Sequence, residues 1–191
     1  VRTSLVSGIR SGVEAYRAVR RGGSQEVLRT DRDTPLQWVG IALLVSVIPL
    51  YFAFQYITGS AGIALLMAVI MLLAGFLFSA VAGYMAGLVG SSNNPISGVT
   101  IATILSASLL LVVLVGTDSA IGPAAAILIG AVVACAAAIA GDNMQDLKAG
   151  RVLGATPYKQ QIMQVIGVVS AAFVMAPVLS LLLEAYGIGA P

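Results

Sequence analysis

Between residues 34 and 117 the chain runs for 84 consecutive positions without an Asp, Glu, Lys or Arg. No water-facing surface can be built from such a stretch. A helix crossing the hydrocarbon core needs about 20 apolar residues, so the run holds about three crossings with their turns. The rest of the chain agrees: 59% of residues are hydrophobic and 9% charged, against about 45–50% apolar and about 25% charged in an ordinary soluble domain. Soluble enzymes, nucleic-acid binders and disulfide-stapled secreted scaffolds are excluded. The fold class expected is all-α, a polytopic transmembrane helix bundle.

The charges that do occur mark the topology. Arg2, Arg10, Arg17, Arg20, Arg21, Arg29 and Arg32 fall in the first 34 residues, and Lys148, Arg151 and Lys159 lie near one later loop. Basic loops stay on the cytoplasmic side. Residues 1–34 therefore read as a cytoplasmic basic segment and residues 35–191 as the membrane region. Five spans are expected at about 36–57, 61–89, 96–116, 121–141 and 160–186. With the first segment inside, alternate crossings bring the second basic cluster inside as well.

Within the first segment, Leu5, Ile9, Val13 and Tyr16 recur at helical spacing, with Arg10, Arg17 and Arg21 on another face. Such a helix lies at the headgroups or rests on its own protein. The chain opens on Val1 with a polar stretch, unlike a signal peptide, and reads as a piece of a longer protein.

Several chemistries are absent. There is no histidine, the commonest metal ligand and proton relay near neutral pH. A single cysteine, Cys135, lies in an Ala-rich apolar run, where it reads as a packing residue. No phosphate-binding loop occurs, so any solute movement draws on a gradient or a partner. No enzyme activity, cofactor or metal site is expected.

Small residues recur every fourth position at Gly75, Ser79, Gly83 and Gly87, and again at Gly122, Ala126, Gly130, Ala134 and Ala138. Faces of this kind let helices approach closely in lipid. Pro49 and Pro177 fall inside the first and fifth spans and are expected to kink them. Glu184 ends the last span near the outer headgroups.

Polar chemistry enters the apolar pattern twice. The first place is Gly87-Leu88-Val89-Gly90-Ser91-Ser92-Asn93-Asn94-Pro95-Ile96-Ser97-Gly98. Two spans need about 40 residues, yet residues 61–115 number 55. The uncharged surplus points to a discontinuous or re-entrant linker, tolerated at membrane depth only where protein or a water-filled cavity satisfies the backbone. An ordinary capped turn at the inner surface is the alternative. The second place is Gly141-Asp142-Asn143-Met144-Gln145-Asp146-Leu147-Lys148-Ala149-Gly150. If this stretch is helical, Asp142 and Asp146 share a face, where like charges repel unless one is protonated or paired. One reading is a protonation-switching carboxylate at a cavity edge; the other pairs Asp146 with Lys148 or Arg151 in a solvated loop. Gly154-Ala155-Thr156-Pro157-Tyr158-Lys159-Gln160-Gln161 reads as a turn into the fifth span.

The stretches at 87–98, 145–150 and 154–161 resemble, in order and spacing, the C-terminal half of prokaryotic members of the oligopeptide transporter family, which includes the yellow-stripe-like metal-chelate carriers. The similarity runs from about Asp31 to the end. The resemblance implies a secondary carrier, typically proton-coupled, with further spans built by internal duplication. It also implies a bacterial or archaeal inner membrane, and short peptides or peptide-like metal chelates as substrates. By this similarity Ser91, Ser92, Asn93, Asn94 and Ser97 line the central pathway, with Gln145 beside it. Asp146 or Asp142 is then the group expected to couple protons. The partners implied are the substrate, protons, the lipid bilayer and the remainder of the parent chain, with no nucleic acid. A non-transporting membrane scaffold and a channel with a pore loop are the rival readings.

Overall fold

The computed structural model describes Arg10, Glu14 and residues 28–116 and 121–187. The amphipathic helix expected over residues 2–21 lies outside them, apart from Arg10 and Glu14, which form an exposed ion pair at 2.9 Å. Among the described residues there is no strand. Five helices are long and apolar enough to cross a membrane: α1 (Leu36–Thr58), α2 (Ala61–Val89), α3 (Ile96–Val115), α4 (Ile121–Leu153) and α5 (Pro157–Tyr186). Single 3₁₀ turns at Arg29–Asp31 and Ser91–Asn93 precede α1 and α3.

The helix boundaries follow the chain's glycines and prolines. Pro35 stands immediately before α1, and its carbonyl accepts from Trp38 N at 2.9 Å. At the other end Pro157 opens α5, where a missing N–H costs nothing. The turn between α4 and α5 is a Schellman cap. Ala155 N donates to Gly150 O at 2.7 Å and Gly154 N to Arg151 O at 3.3 Å, with Gly154 at φ 74°. Both α1 and α5 continue as helices across Pro49 and Pro177.

The fourth helix runs well past residue 141, where its apolar sequence stops. At 33 residues it is about 50 Å long, against about 30 Å of hydrocarbon. Nothing between Asp142 and Leu153 breaks a helix, so hydropathy ends there and helicity does not. The second basic cluster is accordingly mounted on helix ends, Lys148 and Arg151 on α4 and Lys159 on α5, where basic side chains at the α4 C-terminus complement the helix dipole.

In the bundle, α4 is central. It packs most extensively on α2 and then on α3, while α1 lies against α2 and α5 makes a lighter contact with α4. The core is built from Ala125, Ala126, Ile129, Gly130, Val133, Ala137 and Gly141 of α4. It meets Ala64, Met67, Ala68, Met71, Ala82 and Ala86 of α2 and Val99, Thr103, Ala107 and Leu111 of α3. Thr103 satisfies its buried hydroxyl on Val99 O at 2.8 Å. No residue of α5 is buried, and Cys135 is exposed on α4.

The small-residue stripes are used only in part. A Cβ at Gly83 would rest against Ala140, and one at Gly130 would strike Ile104, so both glycines sit at helix crossings. Gly75, Gly87 and Gly122 have nothing within 4 Å of that position. The reason is geometric: a step of four residues overshoots a 3.6-residue turn by about 40°. A stripe with strict four-residue spacing leaves the contact face after two steps.

Candidate functional site

The break between α2 and α3 positions the first polar group. Gly90 closes α2 at φ 86°, a conformation open to glycine at no steric cost. Its N–H still reaches Ala86 O at 3.0 Å. The chain turns through Ser91–Asn93 and re-enters a helix at Ile96. The 55 residues from 61 to 115 are thus mostly helical, α2 taking 29 and α3 20. The surplus appears as extra turns of α2 and as the short break at 90–95.

That break leans on α4. Ser91 Oγ donates to Gln145 Oε1 at 2.8 Å. Asn94 Nδ2 donates to Ala137 O at 3.4 Å and lies over Gly141, in the space a Cβ would fill. Ala137, Gly141 and Gln145 are successive i, i+4 positions, so one face of α4 presents a carbonyl, a gap and an amide to the linker. The arrangement is an uncharged polar seam at the edge of an apolar core. It is incompletely satisfied, because Asn94 Oδ1 is buried and has no partner among the described residues. In a low-dielectric surround such a group costs about 1–3 kcal/mol.

Of the residues expected to line a pathway, Ser91, Asn94 and Gln145 therefore come together. Asn93 is exposed and bonds its own turn, Nδ2 to Val89 O at 3.4 Å. Ser92 and Ser97 are exposed, with no side-chain hydrogen bond among the described residues.

The second polar group lies on a different face of α4, toward α5. Asp146 Oδ2 accepts from Gln164 Nε2 at 2.8 Å, and Asp146 O accepts from Gln160 Nε2 at 3.1 Å. Neither Lys148 nor Arg151 pairs with Asp146. Arg151 instead reaches Asp31 at 3.7 Å, and Asp142 is exposed with no ion pair among the described residues. Gln160 is seated over Gly150 as Asn94 is over Gly141. Asn143 faces α5 beside Gln161 and Gln164, its Oδ1 buried without a partner among the described residues. Below this level Arg29, Asp146, Lys159, Gln160 and Gln164 line an open cleft of about 850 Å³. From the sequence, Gln160 and Gln161 were read only as part of a turn into the fifth span. Gln160, Gln161 and Gln164 at the head of an apolar span were the available signal, since unpaired amides are costly there.

The match to known proteins covers nearly the whole chain. The family model described as OPT oligopeptide transporter protein matches residues 2–191. The chain belongs to the oligopeptide transporter family. A Haemophilus influenzae protein named "Putative oligopeptide transporter" is 35% identical over 192 residues, covering 92% of this chain and 30% of that relative. The chain thus spans about 30% of the length of the curated relative it matches. No solved structure matches it. With five apolar helices, this family member is an integral membrane protein.

In this oligopeptide transporter sequence the residues ahead of α1 clasp the head of α5. Arg29 donates to Gly154 O at 2.7 Å and Tyr158 N to Arg32 O at 3.2 Å. Gln161 Nε2 donates to Asp33 Oδ1 at 2.9 Å, and Thr34 Oγ1 donates to Gln161 Oε1. Gln161→Ala removes two of these bonds, each worth about 0.5–1.5 kcal/mol. Asp31→Asn loosens only an exposed pair, worth about 0–1 kcal/mol. Hydrogen exchange of the Tyr158 amide should accelerate clearly in Gln161→Ala and little in Asp31→Asn.

Proposed function

We propose that the chain forms part of a secondary active carrier that imports short peptides or peptide-like metal chelates, driven by protons. The observation that carries the reading is the seam of Ser91, Asn94 and Gln145, uncharged hydrogen-bonding groups gathered where α2 and α3 break against α4. A carrier needs such groups at a helix discontinuity, because unwound backbone and amide side chains replace the water a polar solute leaves behind. Ser92, Asn93 and Ser97 extend the seam on its exposed side. The family supports transport, and the relative's name speaks of oligopeptides for that protein.

Asp146 is the group assigned to proton coupling, with Asp142 one helical turn away. Asp146 ties α4 to α5 through Gln164, so a change in its protonation alters a contact between helices and not only a surface charge. The basic ends of α4 and α5, with residues 1–34, lie on the cytoplasmic side of a bacterial or archaeal inner membrane in this reading.

Uptake by the full-length parent in proteoliposomes tests it. A radiolabelled tetrapeptide or a ferric chelate should accumulate severalfold more with an inward proton gradient than without. Flux that ignores the gradient overturns proton coupling, and absence of flux for both solutes overturns the carrier. Asn93→Ala, an exposed substitution with little effect on folding, should reduce uptake severalfold.

A further inference from the structure

The cleft between α4 and α5 holds opposite charges that do not neutralise each other. Lys159 has no partner among the described residues. Arg29 uses one N–H on Gly154 O and has no carboxylate partner among the described residues. Asp146 is met by the amide of Gln164 and, among the described residues, by no cation. All three line the same cleft of about 850 Å³, together with Gln160, Gln164 and the apolar Met163. The volume falls within the usual range of about 300–1,000 Å³ for a small-molecule site.

The charges are also spaced along the cleft. The helices are antiparallel, and the Asp146–Gln164 bond fixes their level. Lys159 is five residues nearer the turn than Gln164, about 7 Å at the helical rise. Gly154, which holds Arg29, is eight residues beyond Asp146, about 12 Å. The carboxylate is therefore the inner end and the two cations are the outer end. An extended peptide spans about 3.3–3.6 Å per residue, so three residues cover about 10 Å between terminal ammonium and terminal carboxylate.

We propose that the α4–α5 cleft is a subsite for the zwitterion of a short peptide of about three residues. Its ammonium pairs with Asp146 and its carboxylate with Lys159 and Arg29, and the amides of Gln160 and Gln164 face its backbone. This assignment rests on the carrier reading and sharpens it, because a carboxylate at the inner end of the cleft favours a ligand with a free amine over a polycarboxylate chelate. Gln145 and Asp146 are adjacent on α4, so the seam and this cleft lie about 100° apart around the same helix. Asp146 then serves both roles, its charge being available to a proton or to an ammonium but not to both.

The test uses the full-length parent and three probes: trialanine, N-acetyl-trialanine and trialanine amide. Calorimetric binding to purified protein should be at least tenfold weaker for either capped form. In Asp146→Asn, trialanine should weaken to the level of its acetylated form, with Asp146→Glu restoring the difference. In Lys159→Gln the amide's disadvantage should shrink severalfold instead, Arg29 keeping the remainder. Both side chains are exposed, so neither change threatens folding. Equal binding of all three probes overturns the cleft assignment. Labelled-peptide uptake separates the two failures: if uptake persists while capping has no effect, the cleft assignment alone falls. If neither trialanine nor a ferric chelate is taken up, the carrier reading falls with it.

Discussion

Gly130→Leu is expected to abolish folding of the bundle, and Gly130→Ala to lower its stability by about 1–3 kcal/mol. Gly130 is buried where α4 crosses α3. A Cβ there would lie 2.8 Å from Ile104 Cδ1 and collide with Ile104 Cγ1. Cγ1 belongs to a β-branched side chain with one strongly preferred rotamer in a helix, so it cannot swing aside as a flexible tip would. The strain must be met by moving α3, which rests chiefly on α4 and only lightly on α2. Thermal unfolding of the purified protein in detergent reads the effect. Gly122→Ala is the matched control, a glycine of the same stripe with nothing near it. It should be neutral or gain up to about 1 kcal/mol from helix propensity. Ile104→Ala should restore part of what Gly130→Ala loses. Equal losses at Gly122 and Gly130 would mean that the stripe acts as a uniform surface, contrary to this packing.

The contrast between those glycines shows what a sequence can carry about a helix bundle. Composition and punctuation placed the helices, because Pro35, Gly59, Gly90, Pro95 and Pro157 act locally on φ or on a single N–H. Packing faces were less legible. Spacing in fours identifies a face only for a turn or two, and the selection of Gly83 over Gly87 depends on where α4 crosses α2. The end of α4 was obscured for another reason. Hydropathy reports where lipid ends, whereas helicity from Asp142 to Leu153 depends on the absence of a breaker and on the cap at Gly154.

The same holds for the polar residues. Ser91, Asn94 and Gln145 were legible as chemistry because polar side chains stand out in an apolar chain. Their partners were not, since Ser91 and Gln145 are 54 residues apart. The sequence offered Lys148 and Arg151 to Asp146. Along a helix those positions are turned away by about 160° and 140°, and residues two or five apart do not face each other. The partner was Gln164 on the next helix, an uncharged amide that charge patterning does not reveal. Asn143, Gln160 and Gln161 stood in the sequence motifs, but their partners across the helices were not legible there.

Gly141→Ala is expected to reduce peptide uptake by tenfold or more while costing about 0.5–1.5 kcal/mol in stability, the worth of the one hydrogen bond it breaks. Its Cβ would occupy the position of Asn94 Nδ2 and displace the amide from Ala137 O. Here the obstructing atom is the tip of a flexible side chain, so the fold adapts where Gly130 would not let it. The linker, however, loses the contact that holds it on α4. Asn94→Ala removes the same amide from the other side and should reduce uptake to a similar degree. The double variant then decides the cause. If Gly141→Ala acts by evicting Asn94, the pair should transport no worse than Asn94→Ala alone, a non-additivity of about 1.4 kcal/mol for a tenfold single effect. Multiplying losses would instead mean that the substitution acts on transport by another route, such as the new Cβ meeting Ala86 Cβ of α2 at 3.6 Å. Because the amide and the glycine lie 47 positions apart in the chain, only a seam closed by this contact makes their effects one effect.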